Sequence, residues 1–199
     1  MSKRELKKDH LLDAGLKVMA TRGYNGTSIQ DIVNAADVPK GSFYTYFKSK
    51  EDFAIEALEK VTEERMIHNR HLLNDRSLSP QERITRFFVD NIGGCDENIN
   101  GGCFIGNMCQ EMSESSEAIR LKVRQMLRNN TQAIEDVLEE ARLHEGLETQ
   151  LPSAIIAEFL FNAWEGTVMR MKASKCREPL NAFLAVLPEI FSKTQARQE

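Results

Sequence analysis

With 199 residues, 41% of them hydrophobic and 28% charged, the chain can bury a real core and has the composition of an ordinary globular protein. The net charge of −4 is unevenly spread: residues 1–50 hold nine Lys and Arg against five Asp and Glu, and the remainder holds 17 against 25. A head of net +4 on a body of net −8 leaves only the head suited to a polyanion, and no apolar run approaches the roughly eighteen residues of a membrane helix.

Leu11, Ala14, Gly15 and Val18, widened by Leu12, Leu16 and Met19, predict a first helix over 4–21, with Gly23 as its left-handed cap and Asn25-Gly26 as a turn. Ile29, Ile32, Val33 and Ala36 follow the i, i+3, i+4, i+7 pattern of a short second helix, which a Thr27/Gln30 capping box would start. Asp37-Val38-Pro39 breaks it, because proline disfavours helical geometry in the residue before it, and Pro39 suits the opening turn of a third helix. That helix buries Phe43 and Phe47 and leaves Lys40, Ser42, Tyr44, Thr45, Tyr46 and Lys48 outside. Two short helices joined by a tight turn, the second carrying hydroxyls, aromatics and lysines, describe a helix-turn-helix.

These side chains suit a groove and its phosphate walls. Lysines neutralise phosphates and release counterions, and hydroxyls donate to phosphate oxygens. Lys40, Tyr44, Tyr46, Lys48 and Lys50 are therefore assigned to the phosphates, with Thr27 assisting, and Ser42 and Thr45 to base edges. Gly41 adds no side chain, so backbone can come close to a duplex there. The plainer alternative is a three-helix corner with a merely solvated face, for which tyrosines beside lysines are an odd choice.

Ser49 with Asp52 opens a fourth helix, striped by Ala54, Ala57, Leu58 and Val61 and running to the low seventies; it reads as the only continuous strut between head and body. Ser79-Pro80-Gln81-Glu82 is a strong helix start, followed by Ile84, Phe87, Phe88 and Ile92 and ended by Gly93-Gly94. A loop from Cys95 to Gly102, containing Asn98 and Asn100, leads to a helix from about Cys103 to Met112. After Ser113 to Ser116 a long amphipathic helix carries Ile119, Val123, Met126, Leu127, Ile134, Val137, Leu138 and Ala141, ending near Gly146. Pro152 opens the next, with Ile156, Phe159, Leu160, Ala163, Trp164, Thr167, Val168 and Met171 on one side. Pro179 starts the last, with Leu180, Phe183, Leu184, Leu187 and Phe191. The fold class is all-α with about nine helices, a helix-turn-helix domain at 1–50 and a helical sensor and dimerisation domain at 51–199.

Residues from about Arg4 to Lys50 resemble the N-terminal domain of the TetR family of bacterial transcriptional repressors. The resemblance is carried by Gly23-Tyr24, Thr27-Ser28-Ile29, Ile32, Ala35-Ala36, Val38, Lys40-Gly41-Ser42-Phe43-Tyr44, Tyr46-Phe47 and Lys50-Glu51. It implies a homodimer in which the last two helices pair with a second copy, Ala163 and Gly166 permitting close approach, and a palindromic operator in double-stranded DNA. A small-molecule effector or electrophile would release that DNA.

The input should lie in the body. Gly101-Gly102 leave the flank of Cys103 bare, and a cysteine in the first turn of a helix meets amides and a dipole that favour a thiolate. Gly102-Cys103, with Lys172 ahead of Glu178-Pro179-Leu180, resembles the branch of the family that responds to N-ethylmaleimide, aldehydes and reactive chlorine, in which the cysteine senses and the lysine is its partner. A free cysteine also packs as a small hydrophobe, which is the plainer account of Cys95, Cys109 and Cys176. The competing input is an apolar pocket lined by Phe87, Phe88, Phe104, Met108, Met112, Met126, Phe159, Trp164 and Met171, although such side chains also build ordinary cores. Four cysteines form no disulfide framework, no signal-peptide region follows the basic start, and the chain reads as cytoplasmic. No metal or cofactor is expected, and an enzyme using Cys103 as nucleophile lacks a general base at a motif-like spacing.

Overall fold

The computed structural model describes residues 2–92, 102–144, 147, 149 and 151–191. The glycines and cysteine expected to end the fifth helix and form the loop after it (Gly93, Gly94, Cys95, Asn98, Asn100 and Gly101), and Gly146, lie outside the described residues. Among the described residues there are nine α-helices and no strand: α1 (Lys3–Arg22), α2 (Ile29–Ala35), α3 (Lys40–Tyr46), α4 (Lys50–Leu73), α5 (Pro80–Asn91), α6 (Phe104–Met112), α7 (Glu117–His144), α8 (Ser153–Ser174) and α9 (Glu178–Val186), with a 3₁₀ turn at Leu187–Phe191. They fall into two compact units. One comprises Met1–Arg65 and Phe104–Met126, and the other Met66–Cys103 and Leu127–Glu199. Both α4 and α7 run from one unit into the other.

In the first unit α1 starts at a full capping box, Ser2 with Glu5, and ends at Gly23, whose φ of 76° favours glycine. Gly15 has a packing reason: a Cβ there would lie 2.5 Å from the Phe53 ring and 2.6 Å from Ile32, so α1, α2 and α4 meet at this point. The box opening α2 is Ser28 with Asp31, not Thr27 with Gln30. Thr27 turns inward, 1% exposed, and its hydroxyl donates to the Gly23 carbonyl at 2.7 Å, which leaves Ser28 to cap. Hydrogen bonds from Ser28, then the charge of Arg22, hold the Asp31 carboxyl below the usual aspartate range. Phe43, Phe47 and Phe53 stack with centroids 5.0 to 5.9 Å apart and fix α3 onto α4. Lys8–Glu56 and Lys60–Asp13 pairs join α1 to α4.

In the second unit Ser79 and Glu82 form the expected box with Pro80 at the first turn of α5. Arg83, only 1% exposed, donates to the Leu73 carbonyl and forks onto both oxygens of Glu140 at 2.8 and 3.0 Å. Arg76 also pairs with Glu140. Phe88 stacks on Trp164 and Phe183, Phe161 stacks on Trp164, and the indole N–H donates to the Phe88 carbonyl at 3.1 Å. Phe159 is a correction: it is 62% exposed, and Phe161 takes the inward position. The inward stripe is Ile156, Leu160, Trp164, Val168 and Met171 flanked by Ala157 and Phe161, which leaves Phe159 beyond its opposite edge.

Candidate nucleic-acid interface and sensor residues

The outer face of α3 exposes Lys40, Gly41, Tyr44 and Thr45 to solvent and Ser42 and Tyr46 partly, with Lys48 exposed just beyond. Tyr44 is 56% exposed although it is a large aromatic ring, while Phe43 and Phe47 are buried. Thr45 shares its hydroxyl with the Gly41 carbonyl at a long 3.3 Å, so it stays available to a partner. A Cβ at Gly41 would meet nothing within 4 Å. No internal packing therefore requires a glycine in this helix, where glycine costs up to about 1 kcal/mol relative to alanine. Beside α3 a hollow of about 710 Å³ is bordered by Lys3, Lys7 and His10 of α1 and by Ser42, Thr45 and Tyr46. The lysines of α1 thus flank α3.

Two of the expected phosphate contacts have other commitments. Thr27 is buried, its hydroxyl occupied. Lys50 is half-buried, and its ammonium donates to the Tyr24 and Thr27 carbonyls at 2.9 and 3.0 Å while lying 4.1 Å from the Tyr24 ring centroid. Burial pushes its pKa down, opposed by the negative charge of Glu111. Lys50 therefore closes the turn between α1 and α2. Sequence reasoning missed His10, whose Nε2 lies 3.0 Å from the Ala36 carbonyl oxygen, and Glu111, whose carboxylate accepts from the Asn25 peptide N–H at 2.8 Å. Neither carries a local signal, because each partner is distant in the chain.

A sequence-family model described as bacterial regulatory proteins, tetR family, matches residues 11–57, and one described as tetracyclin repressor-like, C-terminal domain, matches residues 80–187. The chain belongs to the TetR family. It is 34% identical over 183 residues to the HTH-type transcriptional repressor DhaR of Mycobacterium sp. strain GP1, covering 92% of this chain and 90% of that protein. It is 28% identical over 186 residues to the repressor NemR of Escherichia coli K12, covering 93% and 94%. The crystal structure of reduced E. coli NemR superposes with a TM-score of 0.84 at 27% identity, over 94% of this chain and 97% of NemR. That of a regulatory protein TetR from Rhodobacter sphaeroides gives 0.87 at 28%, over 94% and 100%. This TetR-family chain is accordingly a DNA-binding transcriptional regulator with the all-α fold expected of it. None of its described helices is long and apolar enough to cross a membrane.

The expected sensor residues are divided between the two units. Cys103 immediately precedes α6, half-buried against the apolar cluster that contains Trp164 and Phe88. Gly102 ahead of it has a φ of 70°, which favours glycine and gives the Gly-Cys pair a backbone reason. Lys172 is half-buried in the last turn of α8. Phe104 and Met108 are buried on α6 in the first unit, whereas Trp164 is core in the second. Phe159, on the surface, lines no interior cavity. Cys109 and Cys176 are half-buried, Cys109 accepting from Ser113 and Cys176 beside Ser174, and Cys95 lies outside the described residues. The second unit also has an open cleft of about 860 Å³ between α4 and α7, bordered largely by polar side chains such as Asn69, Asn129, Gln132 and Asp136. It differs in character from the apolar pocket expected from the sequence.

Proposed function

We propose that this regulator is a cytoplasmic, homodimeric repressor, not an enzyme, that holds a palindromic operator through two copies of α3 and releases it when Cys103 is modified by an electrophile or oxidant. Half-sites read this way lie about one helical turn, roughly 34 Å, or a multiple apart. Lys40, Lys48, Tyr44 and Tyr46 anchor phosphates, and Ser42 and Thr45 face the bases. Gly41 carries the DNA side of the reading: a glycine in open space within a helix suits a backbone that an external surface approaches.

The sensing side is supported by the position of Cys103. A partly buried thiol directly ahead of α6, behind a glycine in the left-handed region, is joined to a helix that can transmit displacement once a small electrophile adds to it. Similarity to NemR, a protein solved in a reduced form, points the same way. Lys172 is assigned to stabilising the thiolate or its adduct. Moving a conformational balance from 1:99 to 99:1 takes about 5.5 kcal/mol of differential affinity between the two conformers. The test uses a duplex selected from a random pool by the purified protein. N-ethylmaleimide should release it from the wild type and leave Cys103→Ser bound; release of both would remove the covalent sensor.

A further inference from the structure

The turn between α1 and α2 is gripped by two oppositely charged groups. From α4, the Lys50 ammonium takes the carbonyls of Tyr24 and Thr27. From α6, Glu111 accepts the Asn25 peptide N–H at 2.8 Å. Gly23 shows how close Glu111 comes: a Cβ there would fall 2.2 Å from one Glu111 carboxylate oxygen and 2.9 Å from its Cδ. The glycine thus makes room for the carboxylate as well as supplying the φ of 76°. The same turn feeds α2 directly, since Thr27 bonds back to Gly23 and Ser28 caps the helix. Within the same unit, residues after α6 also touch α4, Ser116 bonding Glu51 and Lys122 pairing with Glu59, but those contacts meet the flank of α4, not α2 and α3.

We propose that Glu111 is a positioning residue for DNA binding: by holding the Asn25 peptide N–H beside Gly23 it sets the α1–α2 turn, and through it the placement of α2 and α3, under the control of α6. Because α6 begins one residue after Cys103, a shift of that helix reaches the head through a peptide hydrogen bond at its other end. The inference rests on α3 being the reading helix; it does not need the covalent reading of Cys103. Glutamine keeps an acceptor oxygen at the same reach and should preserve the grip, whereas alanine abolishes it.

The experiment compares the full-length protein with Glu111→Ala and Glu111→Gln, with no electrophile present, by operator titration and by hydrogen–deuterium exchange of residues 23–28. Alanine should weaken binding about tenfold, the scale of one hydrogen bond to a charged group, and quicken exchange in that segment; glutamine should stay within about twofold of the wild type. Wild-type affinity in Glu111→Ala, or a loss of affinity without faster exchange at 23–28, overturns the proposal. If the alanine variant fails to fold, Glu111→Asp, one methylene too short to reach Asn25, must show the same loosening and loss, and its failure to do so overturns the proposal equally. A wild-type protein that selects no duplex would instead sink the reading of α3 itself.

Discussion

Lys40 and Lys50 are both basic side chains of the reading head, yet their surroundings assign them different jobs. Lys40 stands in solvent at the start of α3, free to displace counterions from a phosphate. The Lys50 ammonium already satisfies two carbonyls and lies over a ring. Lys40→Ala should therefore flatten the dependence of log affinity on log salt by about one unit. Lys50→Ala should weaken binding at every salt concentration with little change of slope, and should lower stability by about 1–2 kcal/mol as the turn loses its donor. Operator titrations across a salt series, with thermal melts, separate the two; a flattened slope for Lys50→Ala would return it to the phosphates. Gly41 gives the complementary case. Alanine there enters open space and gains helix propensity, so the melting temperature should rise by about 2–4 °C while operator affinity falls. Unchanged affinity would mean that nothing approaches the backbone at that point.

At the scale of helices, what could be read in advance was whatever is encoded within a few residues. Ser79-Pro80-Gln81-Glu82 announced α5 because cap, proline and box partner all lie inside one turn. The α2 box lies one residue later than Thr27 and Gln30 suggested, since both Thr27 and Ser28 can cap and the bond of the Thr27 hydroxyl to the Gly23 carbonyl leaves Ser28 for that role. Phe159 and Phe161 were exchanged for a related reason: α8 is apolar nearly all round, so periodicity alone leaves its core face ambiguous. Arg83 was invisible, as an arginine between Glu82 and Ile84 looks like solvated surface until the end of α4 and Glu140 of α7 close around it. That closure makes a strong prediction. Glu140→Ala strands a buried guanidinium and should cost about 3 kcal/mol, whereas Arg83→Met combined with Glu140→Leu removes both charges and should cost far less. Urea midpoints for the two variants decide it; equal losses would show that the elements are held by packing and not by this pair.

For the whole molecule the informative surface is the one its own core leaves uncovered. Ile155, Phe159 and Met169 are exposed along α8 at helical spacing, with Gly166 open among them, and Val186 is exposed on α9. Large apolar side chains arranged as a stripe mark an interaction face more than scattered surface does. The proposed partner is a second copy, which places a second α3 on the same duplex. Phe159→Glu should then leave the fold intact, since the ring takes no part in the core, but put a charge where two copies meet. Sedimentation should show a monomer at concentrations where the wild type is a dimer. The DNA reading sharpens this test, because a monomer engages one half-site and neutralises half the phosphates, so its salt dependence should fall to about half the wild-type slope. A dimeric Phe159→Glu would move the interface elsewhere. A monomer that kept the full slope would show that one head alone makes all the contacts.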